Sequence, residues 1–195
     1  EIAENCKKIK TVKIDLDNET WRKHQDYLRK ILANNEELEK LTLWRCSAEF
    51  AFQLEAIKSY RFKLKNFCYK NSDRGSPSNV EENCVFDFLE SQANSLEILR
   101  LEEWYGIEVF KLNFKMPVLR ELTIDMYDVE TTIDWDKIDV YPSSSIKKFH
   151  IDSYRNNKTR IKIFNALFSA MPELRFLIMD YLDNDVSVGN LMKRR

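Results

Sequence analysis

The chain of 195 residues is long enough for one or two domains and for a packed core. Its 31 basic and 32 acidic residues nearly cancel, which excludes a global field directed at nucleic acid or an anionic membrane. Hydrophobic residues at 44 % exclude a disordered chain, and no apolar run approaches the roughly 18 residues that cross a bilayer.

In chain order, apolar residues first alternate at Ile9-x-x-Val12-x-Ile14, the period of a strand. Trp21, Leu28, Ile31 and Leu32 then recur at helical spacing, with Thr20 placed as an N-cap. A strand follows at Leu38-x-x-Leu41-x-Leu43, then a helix through Phe50, Leu54 and Ile57, then a strand at Leu64-x-x-Phe67-x-Tyr69. The stretch "NSDRGSPSN" (71–79) has the composition of an irregular loop. Beyond it, Asn79 and Glu82 form a capping box ahead of Val85, Phe88 and Leu89. Further strands are predicted at Leu96-x-x-Leu99-x-Leu101, Leu119-x-x-Leu122-x-Ile124, Ile146-x-x-Phe149-x-Ile151 and Leu174-x-x-Leu177-x-Met179. The segments "EVFKLNFK" and "IDWDKIDV" hold at most short helical turns, and Ile163, Leu167 and Met171 mark a last helix. Pro117 and Pro172 should end the helices before them, because proline cannot continue the hydrogen-bond ladder.

One frame, L-x-x-L-x-L, therefore begins at residues 9, 38, 64, 96, 119, 146 and 174, with spacings of 29, 26, 32, 23, 27 and 28. The echo between "MPVLRELTIDMY" and "MPELRFLIMDY", 55 residues apart, is two average repeats of 27.5. A strand, a turn and a helix at this period describe a leucine-rich repeat, so residues 1–195 are expected to form one α/β solenoid of about seven irregular repeats. Strands would form a curved parallel sheet on the concave side, with helices on the convex side.

Residues that carry chemistry are sparse. The two histidines, His24 and His150, fall in a helix and a strand, and Cys68 lies three repeats from His150, about 14 Å at the spacing of strands. That is too far for a nucleophile and its base. With three glycines in all, no phosphate-cradling loop exists. The cysteines Cys6, Cys46, Cys68 and Cys84 form no C-x-x-C pair, so no zinc site is expected, and their scatter favours a reduced, intracellular setting, cytoplasmic or nuclear. The sequons at Asn18 and Asn157 would matter only in the secretory pathway. No cofactor, metal or enzymatic activity is expected, and neither nucleic acid nor a membrane is an expected partner.

Across nearly its whole length the chain resembles the leucine-rich-repeat superfamily, and its long repeats resemble the ribonuclease-inhibitor-like group. Phrases such as "NCKKIKTVKIDL" and "LESQANSLEILRL" look most like the repeats of insect-type F-box/leucine-rich-repeat proteins. That resemblance implies substrate recognition for a cullin ubiquitin ligase, docked through an F-box that would precede Glu1. A non-ligase scaffold, regulatory or immune-type binding protein is the alternative. The family places Asn or Cys at the ninth frame position, and only Cys46 matches here, so buried backbone groups must find other partners.

Anchors at frame positions 1, 4 and 6 point inward, which sends positions 3, 5 and 7 to the concave face. Position 7 reads Asp15, Trp44, Lys70, Glu102, Asp125, Asp152 and Asp180 down the stack. The last four carboxylates would lie within roughly 15 Å of one another, an acidic strip suited to a basic protein surface or simply to solvation. Trp44, Arg100, Glu102, Asp125, His150, Asp152 and Asp180 are the candidate partner-binding residues.

Overall fold

The computed structural model describes residues 6–15, 20–46, 54, 56–71, 79–104, 116–126, 145–153 and 170–180. Seven strands form one open sheet: β1 (Thr11–Asp15), β2 (Lys40–Cys46), β3 (Asn66–Asn71), β4 (Ile98–Trp104), β5 (Glu121–Met126), β6 (Lys148–Ser153) and β7 (Phe176–Asp180). All six junctions are parallel, and each strand neighbours the next in chain order. Two helices complete the described elements, α1 (Thr20–Ala33) and α2 (Asn79–Ser91). The chain is thus an α/β protein with a parallel sheet, as its alternating periodicities predict. The helical turns expected in 108–115, 133–140 and 163–169, most of the loop 71–79 and the asparagines of both sequons lie outside the described residues.

Register follows the apolar pattern. Val12, Leu41, Phe67, Leu99, Leu122, Phe149 and Leu177 are matched across the sheet, as are Ile14, Leu43, Tyr69, Leu101, Ile124, Ile151 and Met179. A slip of one residue would turn a whole apolar row to the opposite face, so the buried side specifies the pairing. From β2 to β6 these anchors are buried in one cluster with Leu32 of α1 and Val85, Phe88 and Leu89 of α2. Phe67 and Phe88 meet with ring centroids 5.2 Å apart, which fixes α2 on the anchor face of the sheet. Leu54 and Ile57, expected on a helix, are helical and buried in the same cluster.

Backbone hydrogen bonds tie the repeats together just ahead of the strands. The carbonyl at frame position 2 of each repeat accepts two N–H groups from positions 2 and 3 of the next. Lys10 O receives Glu39 N and Lys40 N at 2.9 Å each, and Lys147 O receives Arg175 N at 2.9 Å and Phe176 N at 3.0 Å. The same fork occurs at Glu39, Lys65, Glu97 and Arg120.

The Met-Pro echo acquires a sharper role. Leu119 N donates to Met116 O at 3.2 Å and Leu174 N to Met171 O at 3.1 Å, so each Pro holds the second place of a four-residue turn. That place wants the φ near −65° that the proline ring imposes. Ala170 is still helical, so the turn follows the helix directly. Asn35-Glu36-Glu37-Leu38 closes in the same way at 3.1 Å without a proline.

Two buried amides, Asn35 and Gln92, satisfy backbone donors ahead of the strands. Asn35 Oδ1 accepts from Ile9 N at 2.7 Å, while its Nδ2 donates to Ile31 O at 2.6 Å, an orphan carbonyl of the α1 terminus. Gln92 Oε1 accepts from Leu64 N at 3.0 Å. Each side chain, near the end of a repeat, serves the N–H of frame position 1 at the start of the same repeat. Asn35→Ala or Gln92→Ala leaves a backbone donor without its partner, at a cost of about 1–3 kcal/mol. Urea unfolding of each variant should show a lowered midpoint at unchanged slope, with faster amide exchange at Ile9 or Leu64 respectively.

Candidate functional site

Alternation along the strands leaves frame positions 3, 5 and 7 on the face opposite the helices. The described side chains there are mostly exposed or half-buried, with Thr42 and Cys68 buried at the centre. Trp44 lies in β2, Arg100 and Glu102 in β4, Asp125 in β5, His150 and Asp152 in β6, and Asp180 in β7. The register aligns Asp125 with Asp152 and Asp152 with Asp180, and it aligns Thr123, His150 and Ile178 in the middle of the same strands. Trp44 is aligned with Asp15 at the other end of the sheet, so it stands apart from the six proposed residues on β4–β7.

Trp44 is 37 % exposed, and the Lys13 Nζ sits 3.4 Å from its ring centroid. The aromatic is therefore partly used within the sheet as the platform for a cation, and its remaining surface faces outward. Phe176 and Ile178, side by side on the same face of β7, are 64 % and 40 % exposed.

The sequence offered no sign of two bulges beside these residues. Trp44 and Arg45 together oppose Lys70, between the pairs Leu43–Tyr69 and Cys46–Asn71. Glu102 and Glu103 likewise oppose Asp125, between Leu101–Ile124 and Trp104–Met126. The second residue of each pair is left-handed, Arg45 at φ 53° and Glu103 at φ 54°, a conformation that costs a side chain with Cβ roughly 1–2 kcal/mol. Each is tied to position 7 of the preceding strand: Arg45 Nε to Asp15 Oδ1, and Glu103 to Lys70 Nζ at 3.3 Å. Burial works against the Lys70 ammonium, but Glu103, Glu102 and Asp125 outweigh it and raise its pKa. Positions 44 and 102 are thus re-aimed by bulges of one design, two repeats apart.

Cys68 lies buried between these bulges, with its Sγ 3.9 Å from Glu102 Oε1. Burial, followed by the Glu102 charge, pushes its thiol up to about 11, so at neutral pH it stays protonated and is a poor nucleophile. Among the described residues no group of three or more His, Cys, Asp and Glu is arranged to hold a metal ion. No helix among them is long and apolar enough to cross a membrane.

A second charged row, missed at the level of sequence, runs along the N-terminal ends of the strands. Frame position 2 reads Lys10, Glu39, Lys65, Glu97, Arg120, Lys147 and Arg175. In the first half its signs alternate, and neighbours pair: Lys65 Nζ to Glu39 Oε1 at 2.9 Å, Arg120 to Glu97 at 3.9 Å. The Lys65 hydrogen bond and charge hold the Glu39 carboxyl below the usual glutamate range. In the second half the row is basic throughout, and Arg120, Lys147 and Arg175 are exposed. The signal was present, because the forked carbonyls belong to this same position.

Comparison with protein-family models, with curated proteins and with solved structures returns no match.

Two outcomes test the geometry. Glu103→Val, with a β-branched side chain in the left-handed region, should destabilise the domain clearly more than Glu103→Gly, whose lost ion pair is offset by the relieved backbone. Thermal unfolding of the two variants decides this. In thiol labelling at pH 8.5 followed by peptide mapping, Cys68 should stay unmodified until urea unfolds the domain, while exposed Cys6 reacts at once.

Proposed function

We propose that the chain is a leucine-rich-repeat solenoid whose open sheet face binds a protein partner. We further read it as the substrate-recognition repeats of an F-box-type ubiquitin ligase subunit working inside the cell. The observation that carries the first part is the alignment of Asp125, Asp152 and Asp180 on neighbouring strands. Like charges at adjacent positions of a sheet cost stability, roughly 0.2–1 kcal/mol for each contact. A fold selected for stability alone would alternate them, as the first half of the position-2 row does. Carboxylates stacked in register are the expected form of a surface kept for a basic partner.

Trp44 supports the same face as an interaction surface. Its exposed edge, beside a bulge, is the kind of aromatic anchor on which binding energy concentrates. The open sheet, with no two of the described candidate side chains arranged as nucleophile and base, suits recognition. The ligase assignment rests on the resemblance of the repeats, and it requires an F-box in the longer protein. Its alternative, a scaffold outside any ligase, keeps the same binding face.

Asp152→Lys converts three like charges in a row into an alternating set, so it should raise the melting temperature by the equivalent of about 1 kcal/mol while weakening partner capture. Reversing Asp125, Asp152 and Asp180 together should abolish capture from cell extract with the domain still folded by circular dichroism. Retention of the same captured protein by the folded triple variant sinks the assignment of this face. Co-purification of cullin-ligase components with a longer protein that carries the F-box tests the ligase role separately.

A further inference from the structure

Two short side chains, Thr42 and Cys68, are buried although they lie on the open face of the sheet. The register sets them in one row between two cations, Lys13–Thr42–Cys68–Arg100, which crosses β1 to β4. Lys40, two residues before Thr42 on β2, is aligned with the half-buried Asn66. Burial and the Glu102 charge raise the Cys68 pKa, while Arg100 and Lys40 pull it the other way and Trp44 hydrogen-bonds the sulfur. Those last three side chains therefore converge on the thiol. Long side chains cover the short ones. The result is a low floor of Thr42 and Cys68 inside a rim of Lys13, Lys40, Trp44 and Arg100.

The other charges around this rim pair with one another. Arg45 is joined to Asp15, Lys65 to Glu39, Arg120 to Glu97, and Lys70 to both Glu102 and Glu103. Glu121, diagonal to Arg100 on β5, is taken by Lys148 at 3.3 Å. Among the described residues, Lys13, Lys40 and Arg100 are ion-paired to no carboxylate. Lys13 lies over the Trp44 ring, a contact that leaves its charge in place. Three positive charges thus share a patch that spans three strand spacings, about 14 Å from Lys13 to Arg100. Glu102 and Glu103 bound it toward the C-terminal ends of the strands, with Glu102 Oε1 3.9 Å from Cys68 Sγ. A nucleic-acid backbone, charged along its whole length, would run onto these carboxylates; a short acidic segment fits beside them.

We infer that the β1–β4 half of the open face takes an extended acidic segment of a protein partner, laid across the strands from Lys13 to Arg100, with carboxylates at alternate positions. Alternate residues of an extended chain face the same way about 6.6 Å apart, so three carboxylates span about 13 Å, the length of the patch. The first meets Lys13 and the second Lys40. The third meets Arg100, whose guanidinium holds a carboxylate through two hydrogen bonds. The short floor of Thr42 and Cys68 lets the segment lie close to the sheet. This rests on the reading of the open face as a partner surface, and it assigns that surface a second contact, away from the Asp125 row.

Fluorescence anisotropy at low and at physiological salt tests it with three labelled probes. One peptide carries three glutamates at alternate positions among serines, the second has the same composition with the glutamates contiguous, and the third probe is a single-stranded oligonucleotide. The alternating peptide should bind several-fold more tightly than the contiguous one, and added salt should weaken it. Lys40→Glu/Arg100→Glu should weaken it about tenfold or more, while Lys147→Glu/Arg175→Glu, the same change of charge outside the patch, should leave it nearly unchanged. Equal loss in the two double variants, equal binding of the two peptides, tightest binding of the oligonucleotide, or no binding of either peptide overturns the inference. The Asp125 row is judged by partner capture with its own reversals, so the two readings fail separately. All four substituted side chains are exposed, circular dichroism confirms folding, and Lys40→Gln/Arg100→Gln supplies a milder test should the reversed variant unfold.

Discussion

The whole arrangement depends on one kind of backbone contact, the carbonyl at frame position 2 that accepts two N–H groups from the next repeat. The fork fixes both the distance and the register between neighbours before either strand begins. A slip of a single residue would carry Leu99, Leu122 and their row from the core to water, so the fork and the apolar pattern demand the same alignment. Consistency of this sort, in which a local hydrogen bond and a long-range core agree, is what lets irregular spacers of very different length be tolerated between strands.

The same contact gives the surface its order. Once register is fixed, every frame position becomes a row across the sheet, and the charge of a residue matters chiefly through its sideways neighbours. Lys65 and Glu39 show the consequence: two exposed groups, 26 residues apart in the chain, perturb each other because the repeat places them side by side. A single substitution in a row therefore changes two contacts, one on each side.

The strands and their order were legible from the chain because the anchors repeat and the buried face tolerates only apolar side chains. Thr20 and Asn79 as helix starts, and Val85, Phe88 and Leu89 as a buried stripe, were legible for the same local reasons. The bulges at Arg45 and Glu103 were not, since neither residue is the glycine or asparagine that ordinarily marks a left-handed backbone. Asn35 and Gln92 read as ordinary polar residues at helix ends, and their long-range acceptor role exists only once the chain after the helix returns to the start of its own repeat. Of the binding face, the row at position 7 could be read by counting. Lys13 against Trp44 depends on a diagonal across two strands that counting down one position does not reveal.

The bulges carry a further implication for how the chain can change length. The left-handed residue of β2 is tied back to β1, and that of β4 to β3, while the charges of position 2 alternate over the same stretch. Loss of the β2 repeat alone would set Lys10 beside Lys65, but loss of the β2 and β3 repeats together would bring Lys10 beside Glu97 and preserve the alternation. At position 7 the same loss would set Asp15 beside Glu102 and Glu103 and remove the Arg45 and Lys70 that now offset them, so the two rows tie this half of the sheet to its present length.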